Sequence, residues 1–127
     1  MMIAGLLLIL GSCYNDKYDK LYPAPPPNTN TCDTTTITYS HDIQPIIVAN
    51  CYNPSAGNCH NASGSSGFNY QTSIIPLQTN AHDGSLLTDI NWNPTRGHNK
   101  MPLNGNQLSA CDINKITRWV NLGAQNN

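Results

Sequence analysis

The chain has 127 residues, a formal net charge of −1 and only 10% charged side chains, which leaves room for one domain and no electrostatic footprint for nucleic acid. Nine glycines, nine prolines and few aromatic residues allow only a small core broken by many turns, of the kind that usually needs a disulfide, metal or cofactor as a staple. Five cysteines in so short a chain point the same way, and to an oxidising compartment.

Ile3 to Leu10 is an apolar run of signal-peptide length, too short to span a bilayer. It closes on Leu10-Gly11-Ser12-Cys13, which resembles a bacterial lipobox, where the cysteine becomes the lipidated first residue of the mature protein. No Lys or Arg precedes the run, so an apolar leader ending in an ordinary free cysteine is the alternative. On the lipobox reading residues 1–12 are a lipoprotein signal peptide, and several acyl chains on Cys13 anchor the chain stably to a membrane. Tyr14, rather than an aspartate, after the cysteine disfavours inner-membrane retention. The expected location is therefore the cell envelope of a bacterium, on the outer membrane, facing the periplasm or the surface. Residues 13–31 read as a flexible tether, polar and charged from Tyr14 to Lys20 and then stiffened by Pro23, Pro25, Pro26 and Pro27.

A folded domain is expected over residues 32–127. Thr34 to Thr38 is a β-branched, extended lead-in. Ser40 or Asp42 can cap a helix whose apolar face carries Ile43, Ile46 and Ile47, with Pro45 tolerable only in its first turn and Cys51 at its end. Ser63 to Gly67 contains only Gly and Ser and reads as a flexible loop. Gly84 to Ile90 reads as one or two helical turns with Leu86, Leu87 and Ile90 apolar. Asn91 to Asn106 is a loop punctuated by Pro94, Gly97, Pro102 and Gly105. The last helix is the plainest: Ser109 and Asp112 resemble a capping box, Ile113, Ile116, Trp119 and Val120 form a stripe of core residues, and Gly123 is a natural stop after Leu122.

Between the first helix and the Gly/Ser loop lies Cys51-Tyr52-Asn53-Pro54-Ser55-Ala56-Gly57-Asn58-Cys59-His60. A Cys-x-x-Cys-His run attaches c-type haem, with two thioethers to the porphyrin vinyls and the adjacent imidazole on iron. Here seven residues separate the cysteines, so the motif is widened, and Pro54 and Gly57 suggest a surface bulge. Attachment through Cys59 alone, or a Cys51–Cys59 disulfide without haem, are the alternatives. Iron bound by His60 needs a sixth ligand for pure electron transfer. Beyond the two initial residues the only methionine is Met101, which sits in a loop outside any apolar stripe. Its thioether would favour ferrous iron and raise the potential. His98, in the same loop, is the competing ligand, although a surface or supporting role suits it better.

These segments together carry a resemblance. Tyr39-Ser40-His41-Asp42-Ile43-Gln44-Pro45-Ile46-Ile47 leading into Cys51 and Cys59-His60, then Gly84-Ser85-Leu86-Leu87, His98-Asn99-Lys100-Met101-Pro102 and finally Trp119-Val120-Asn121-Leu122-Gly123-Ala124 resemble, in order and spacing, the small monohaem cytochrome c-like lipoproteins of Bacteroidetes-type bacteria. The likeness runs from about Cys32 to Asn127. It implies an all-α cytochrome c-like domain with long loops, one covalent haem c held through Cys51 and Cys59, His60 as proximal ligand and Met101 as distal ligand. With Cys13 assigned to lipid and Cys51 and Cys59 to haem, Cys32 and Cys111 are the thiols left, and they are expected to form a disulfide between the domain's entry and its last helix; two buried free thiols are the alternative.

The other histidines read blandly, His41 at the exposed start of the first helix and His82 in a turn. No nucleophile elbow, phosphate loop or convincing carboxylate pair suggests hydrolytic or transfer chemistry. Asp42, Asp83, Asp89 and Asp112 read as caps and turn formers. The expected function is electron transfer to redox partner proteins by a membrane-tethered monohaem cytochrome, not an enzyme. Two other classes stay open: a haem-free structural or binding lipoprotein stapled by two disulfides, and a peroxidase-like haem enzyme with an open distal site.

Overall fold

The computed structural model describes residues 32–52, 59–64 and 66–127, which all belong to the compact unit Thr31–Asn127. The signal-peptide, lipidation and tether readings on residues 1–31, including Cys13, lie outside the described residues, as does the bulge read at Pro54 and Gly57. The only regular structure among the described residues is helical, with no strand, so the described domain is all-α in class.

Helical structure begins at Tyr39, earlier than the sequence suggests. Thr38, not Ser40 or Asp42, is the N-cap: its hydroxyl accepts from the His41 N–H at 3.3 Å. Asp42 answers from the next turn, accepting from the Thr38 N–H at 3.1 Å and pairing with the Lys115 ammonium at 3.1 Å. Burial alone would raise the pKa of Asp42, but the Thr38 N–H and the Lys115 charge together hold it below the ordinary carboxylate value. Pro45 cannot donate to the carbonyl four residues back, so an unbroken α ladder is impossible here. Wide π-type turns at Tyr39–Ile43 and Val48–Tyr52 flank the α-helical Gln44–Ile47. We call this run α1; it carries the chain through Cys51.

The second helix, α2 (Ile75–His82), has no counterpart in the sequence reading. Pro76 sits in its first turn, where no intrahelical donor is required. His82, expected in a turn, instead closes this helix. Gly84, at φ +84°, makes the reversal into α3 (Ser85–Ile90); a side chain there would be strained. α2 and α3 pack together, α3 touches α4 (Ala110–Asn121), and α4 lies against the start of α1. Ser109 caps α4 by accepting from the Asp112 N–H at 3.1 Å, while its hydroxyl donates to the Asp112 carboxylate at 2.8 Å.

One core joins the helices. Ile43 and Ile47 from α1, Leu77 from α2, and Ile116 and Trp119 from α4 are its largest fully buried members, with Ile90 of α3 alongside. Each such side chain contributes about 1.5–3 kcal/mol on burial. The Tyr39 and Trp119 rings meet at 5.8 Å between centroids. After α4 the chain turns at Gly123 and folds back: the Trp119 indole donates to the Gln125 carbonyl at 2.9 Å, and Asn127 accepts from the Tyr39 and Ser40 N–H groups at 2.8 and 3.0 Å. Cys32 and Cys111 are joined as a disulfide, which ties the start of the described domain to the first turn of α4.

Candidate functional site

Residues 59–64 and 66–70 carry no helix and are tied back to the end of α1. The His60 N–H donates to the Cys51 carbonyl at 3.1 Å, and the Tyr70 N–H to the His60 carbonyl at 2.9 Å. Two backbone bonds on one residue fix the histidine beside the end of α1, so the widened spacing between the cysteines does not separate His60 from Cys51. The imidazole is buried, at 7% exposure. It stacks on the Tyr70 ring, with centroids 4.4 Å apart and planes within 6°, and Tyr70 is itself held by the Asn80 amide, which donates to its hydroxyl at 2.7 Å.

The imidazole tautomer follows from its partners. His60 Nδ1 lies 3.1 Å from the Phe68 carbonyl oxygen, and a carbonyl only accepts, so Nδ1 carries the proton. The Ser66 hydroxyl sits 3.1 Å from the same nitrogen and donates to the same carbonyl. Nε2 is therefore the nitrogen with the lone pair. Burial lowers the pKa of His60, against the opposing pull of the Phe68 carbonyl, so the neutral ring is favoured. A neutral imidazole whose Nδ1–H is tied to a carbonyl is the usual arrangement of a metal-ligating histidine.

Cys51 and Cys59 are both thiols in this structure, so the second bridge of the haem-free alternative is not formed here. Burial, with a smaller contribution from Cys59, pushes the Cys51 thiol up to about 12. Among the described residues no group of three or more His, Cys, Asp or Glu side chains could hold a metal ion as a cage. A porphyrin iron asks less of the protein, since it needs only two axial side chains.

Met101 lies elsewhere, in the loop after α3. It is half-buried against the same core that Cys51 and Tyr52 border. Its N–H donates to the Asp89 carbonyl at 3.0 Å, and its carbonyl accepts from the Trp92 indole N–H at 3.0 Å. His98 is exposed and pairs through Nδ1 with the Asp89 carboxylate at 3.2 Å. His41 is exposed at the start of α1. Two clefts flank the Met101 loop. The larger, about 480 Å³, runs between Ala49 and Asn50 of α1 and the stretch from Pro102 to Ser109. The smaller, about 360 Å³, is lined by Trp92, Lys100, Pro102 and Leu103 among others. His60 lines neither; it is enclosed by its own loop and Tyr70.

The structure thus gathers Cys51 and His60 at the end of α1 and fixes Met101 separately, in the loop after α3. Ser66, the Phe68 carbonyl, Tyr70 and Trp92 escaped the sequence reading, and Asp89, read only as a cap or turn former, holds Met101 and Trp92 through its main-chain carbonyl. Two of these act through backbone carbonyls, which no residue type betrays; the isolated Trp92 in a loop of Asn, Pro and Gly was the one available signal. The domain holds one neutral imidazole with its lone pair on Nε2, one thioether and two cysteine sulfurs, the side-chain types that a covalent haem uses. Comparison with known proteins returns no match, since no family model, curated protein or solved structure is significantly similar to the chain. No helix among the described residues is long and apolar enough to cross a membrane.

Proposed function

We propose that the chain is a monohaem c-type cytochrome with a cytochrome c-like fold, tethered to the bacterial cell envelope through Cys13 and passing single electrons between redox partner proteins. The observation that carries this reading is the state of His60 directly after Cys59: buried, neutral, and with Nδ1–H committed to the Phe68 carbonyl so that Nε2 carries the lone pair. Haem c, when bound, supplies a one-electron iron couple.

Every other part of the mechanism belongs to the chain. His60 would be the proximal ligand and Met101 the distal one, with Cys51 and Cys59 forming the thioethers. The Phe68 carbonyl and Ser66 hydroxyl hold the Nδ1 proton, so a ligating His60 would need to move no proton with the electron. Tyr70, stacked on the imidazole, fixes the plane of the ring and keeps water off that face. As a ligand, the soft Met101 thioether would favour the reduced form and raise the potential. Burial of His60 would lower the local dielectric and limit reorganisation.

The test is a pyridine haemochrome spectrum of protein made in a cytochrome-maturing host. Covalent haem, retained through denaturing electrophoresis and lost in Cys59→Ala, is the expected result, and the band position counts the thioethers. A colourless wild-type protein would sink the proposal and favour the haem-free lipoprotein. High-spin iron that takes up cyanide readily would favour the peroxidase-like reading.

A further inference from the structure

The loop that carries Met101 has no regular structure, yet the peptide groups on both sides of Met101 are tied to the end of α3. The Asp89 carbonyl accepts from the N–H of Met101 at 3.0 Å and from that of Trp92 at 3.2 Å. The Trp92 indole then donates to the Met101 carbonyl at 3.0 Å. Around this core of bonds, the Lys100 ammonium lies 5.3 Å from the Trp92 ring centroid, and His98 pairs with the Asp89 carboxylate at 3.2 Å. Trp92 reaches its position only by adopting φ +60°. For a bulky aromatic residue that conformation costs on the order of 1–3 kcal/mol and persists only when its surroundings impose it. The strain therefore sits at the residue whose side chain completes the grip on Met101.

The geometry points to Trp92 as a positioning residue for the Met101 thioether, an inference that rests on the haem reading above. With its N–H and carbonyl both committed, Met101 has only its side-chain torsions left to explore. Without the indole N–H the carbonyl side of the residue is released, and the sulfur samples a wider volume. The Asp89 carbonyl alone cannot prevent this, because one bond leaves the peptide free to pivot. Trp92 touches neither iron nor substrate in this scheme. It acts through Met101.

The test uses Trp92→Phe, which keeps an aromatic ring but removes the donor, and Trp92→Gly, which removes the ring while relieving the backbone strain at this position. Lys100→Gln, which leaves the indole in place, is the control. In the haem-free protein, hydrogen exchange at the Met101 amide should accelerate about fivefold in Trp92→Phe, the equivalent of one hydrogen bond lost, and not in Lys100→Gln. In the haem-loaded protein both Trp92 variants should weaken the sulfur-to-iron charge-transfer absorption and lower the midpoint potential. A Trp92→Gly protein that behaves as wild type would overturn the inference, because the indole would be dispensable. So would faster exchange in Trp92→Phe with the absorption and potential unchanged, since Trp92 would then only anchor the loop. Absence of haem from the wild-type protein is a separate failure: it removes the haem reading, and the exchange measurement then decides alone whether Trp92 holds Met101.

Discussion

Removing the Cys32–Cys111 bridge is the most quantitative perturbation the fold offers. The bridge closes a loop with a sequence separation of 79. In the chain-entropy treatment, releasing a loop of that length returns about 4.5 kcal/mol of freedom to the unfolded chain. The native state has little to lose in exchange, because Cys32 is exposed and Cys111 only half-buried; neither belongs to the core. Against a total of about 5–15 kcal/mol for a domain of this size, the Cys32→Ser/Cys111→Ser protein should retain its helices but fall by on the order of 20 °C or more in melting temperature. Urea titration followed by far-ultraviolet circular dichroism measures the loss. It should also show a steeper denaturant dependence, since the unbridged unfolded chain exposes more surface. A loss below about 1 kcal/mol with an unchanged slope would refute the reasoning, because the bridge would then not be restricting the unfolded ensemble.

Trp119→Ala should cost about 3–5 kcal/mol by chemical denaturation, since the ring is 1% exposed and its indole holds the Gln125 carbonyl; a cost under about 1 kcal/mol would mean the site collapses without it. Cys51 should resist alkylation in the folded, haem-free protein. A thiol pushed to about 12 holds roughly a thousandth of the thiolate of an ordinary cysteine near neutral pH, and the rate should rise about tenfold per pH unit. Rapid labelling at pH 7 from the native state would contradict the burial. The same shift makes the fold less stable as pH rises from the ordinary thiol range toward about 12, because the unfolded chain ionises first. Asp42→Asn should cost about 1 kcal/mol through the weakened N-terminus of α1. Because the folded carboxyl is held low, its contribution is present above the ordinary Asp range and fades as pH falls through the lowered value; in an acid titration the wild type and the variant should therefore converge.

The sequence was most legible where local chemistry alone sets the structure. α4 has a capping serine, a stripe at helical spacing and a terminal glycine, and it folds within a residue of those signals. α1 was harder. The sequence offers Ser40 or Asp42 as the cap and Thr38 as extended lead-in, but Thr38 is the cap because its extended backbone lets the Asp42 carboxylate answer it. α2 was invisible for a physical reason: Ile75 points to solvent at 68% exposure while Leu77 and Ala81 are buried, so its apolar residues make no stripe. At the site, His60 stood out by its place after Cys59. Its partners did not, because the Gly/Ser loop that reads as flexible supplies Ser66 as a fixed partner and the Phe68 contribution is a main-chain oxygen.

The sulfur link between Cys32 and Cys111 also decides how the domain bears load. Any pull arriving from upstream enters at Cys32 and passes directly into the first turn of α4, skipping all the chain in between. α1 and the His60 loop therefore cannot be peeled away from that end, because the load bypasses the stretch of chain that carries them.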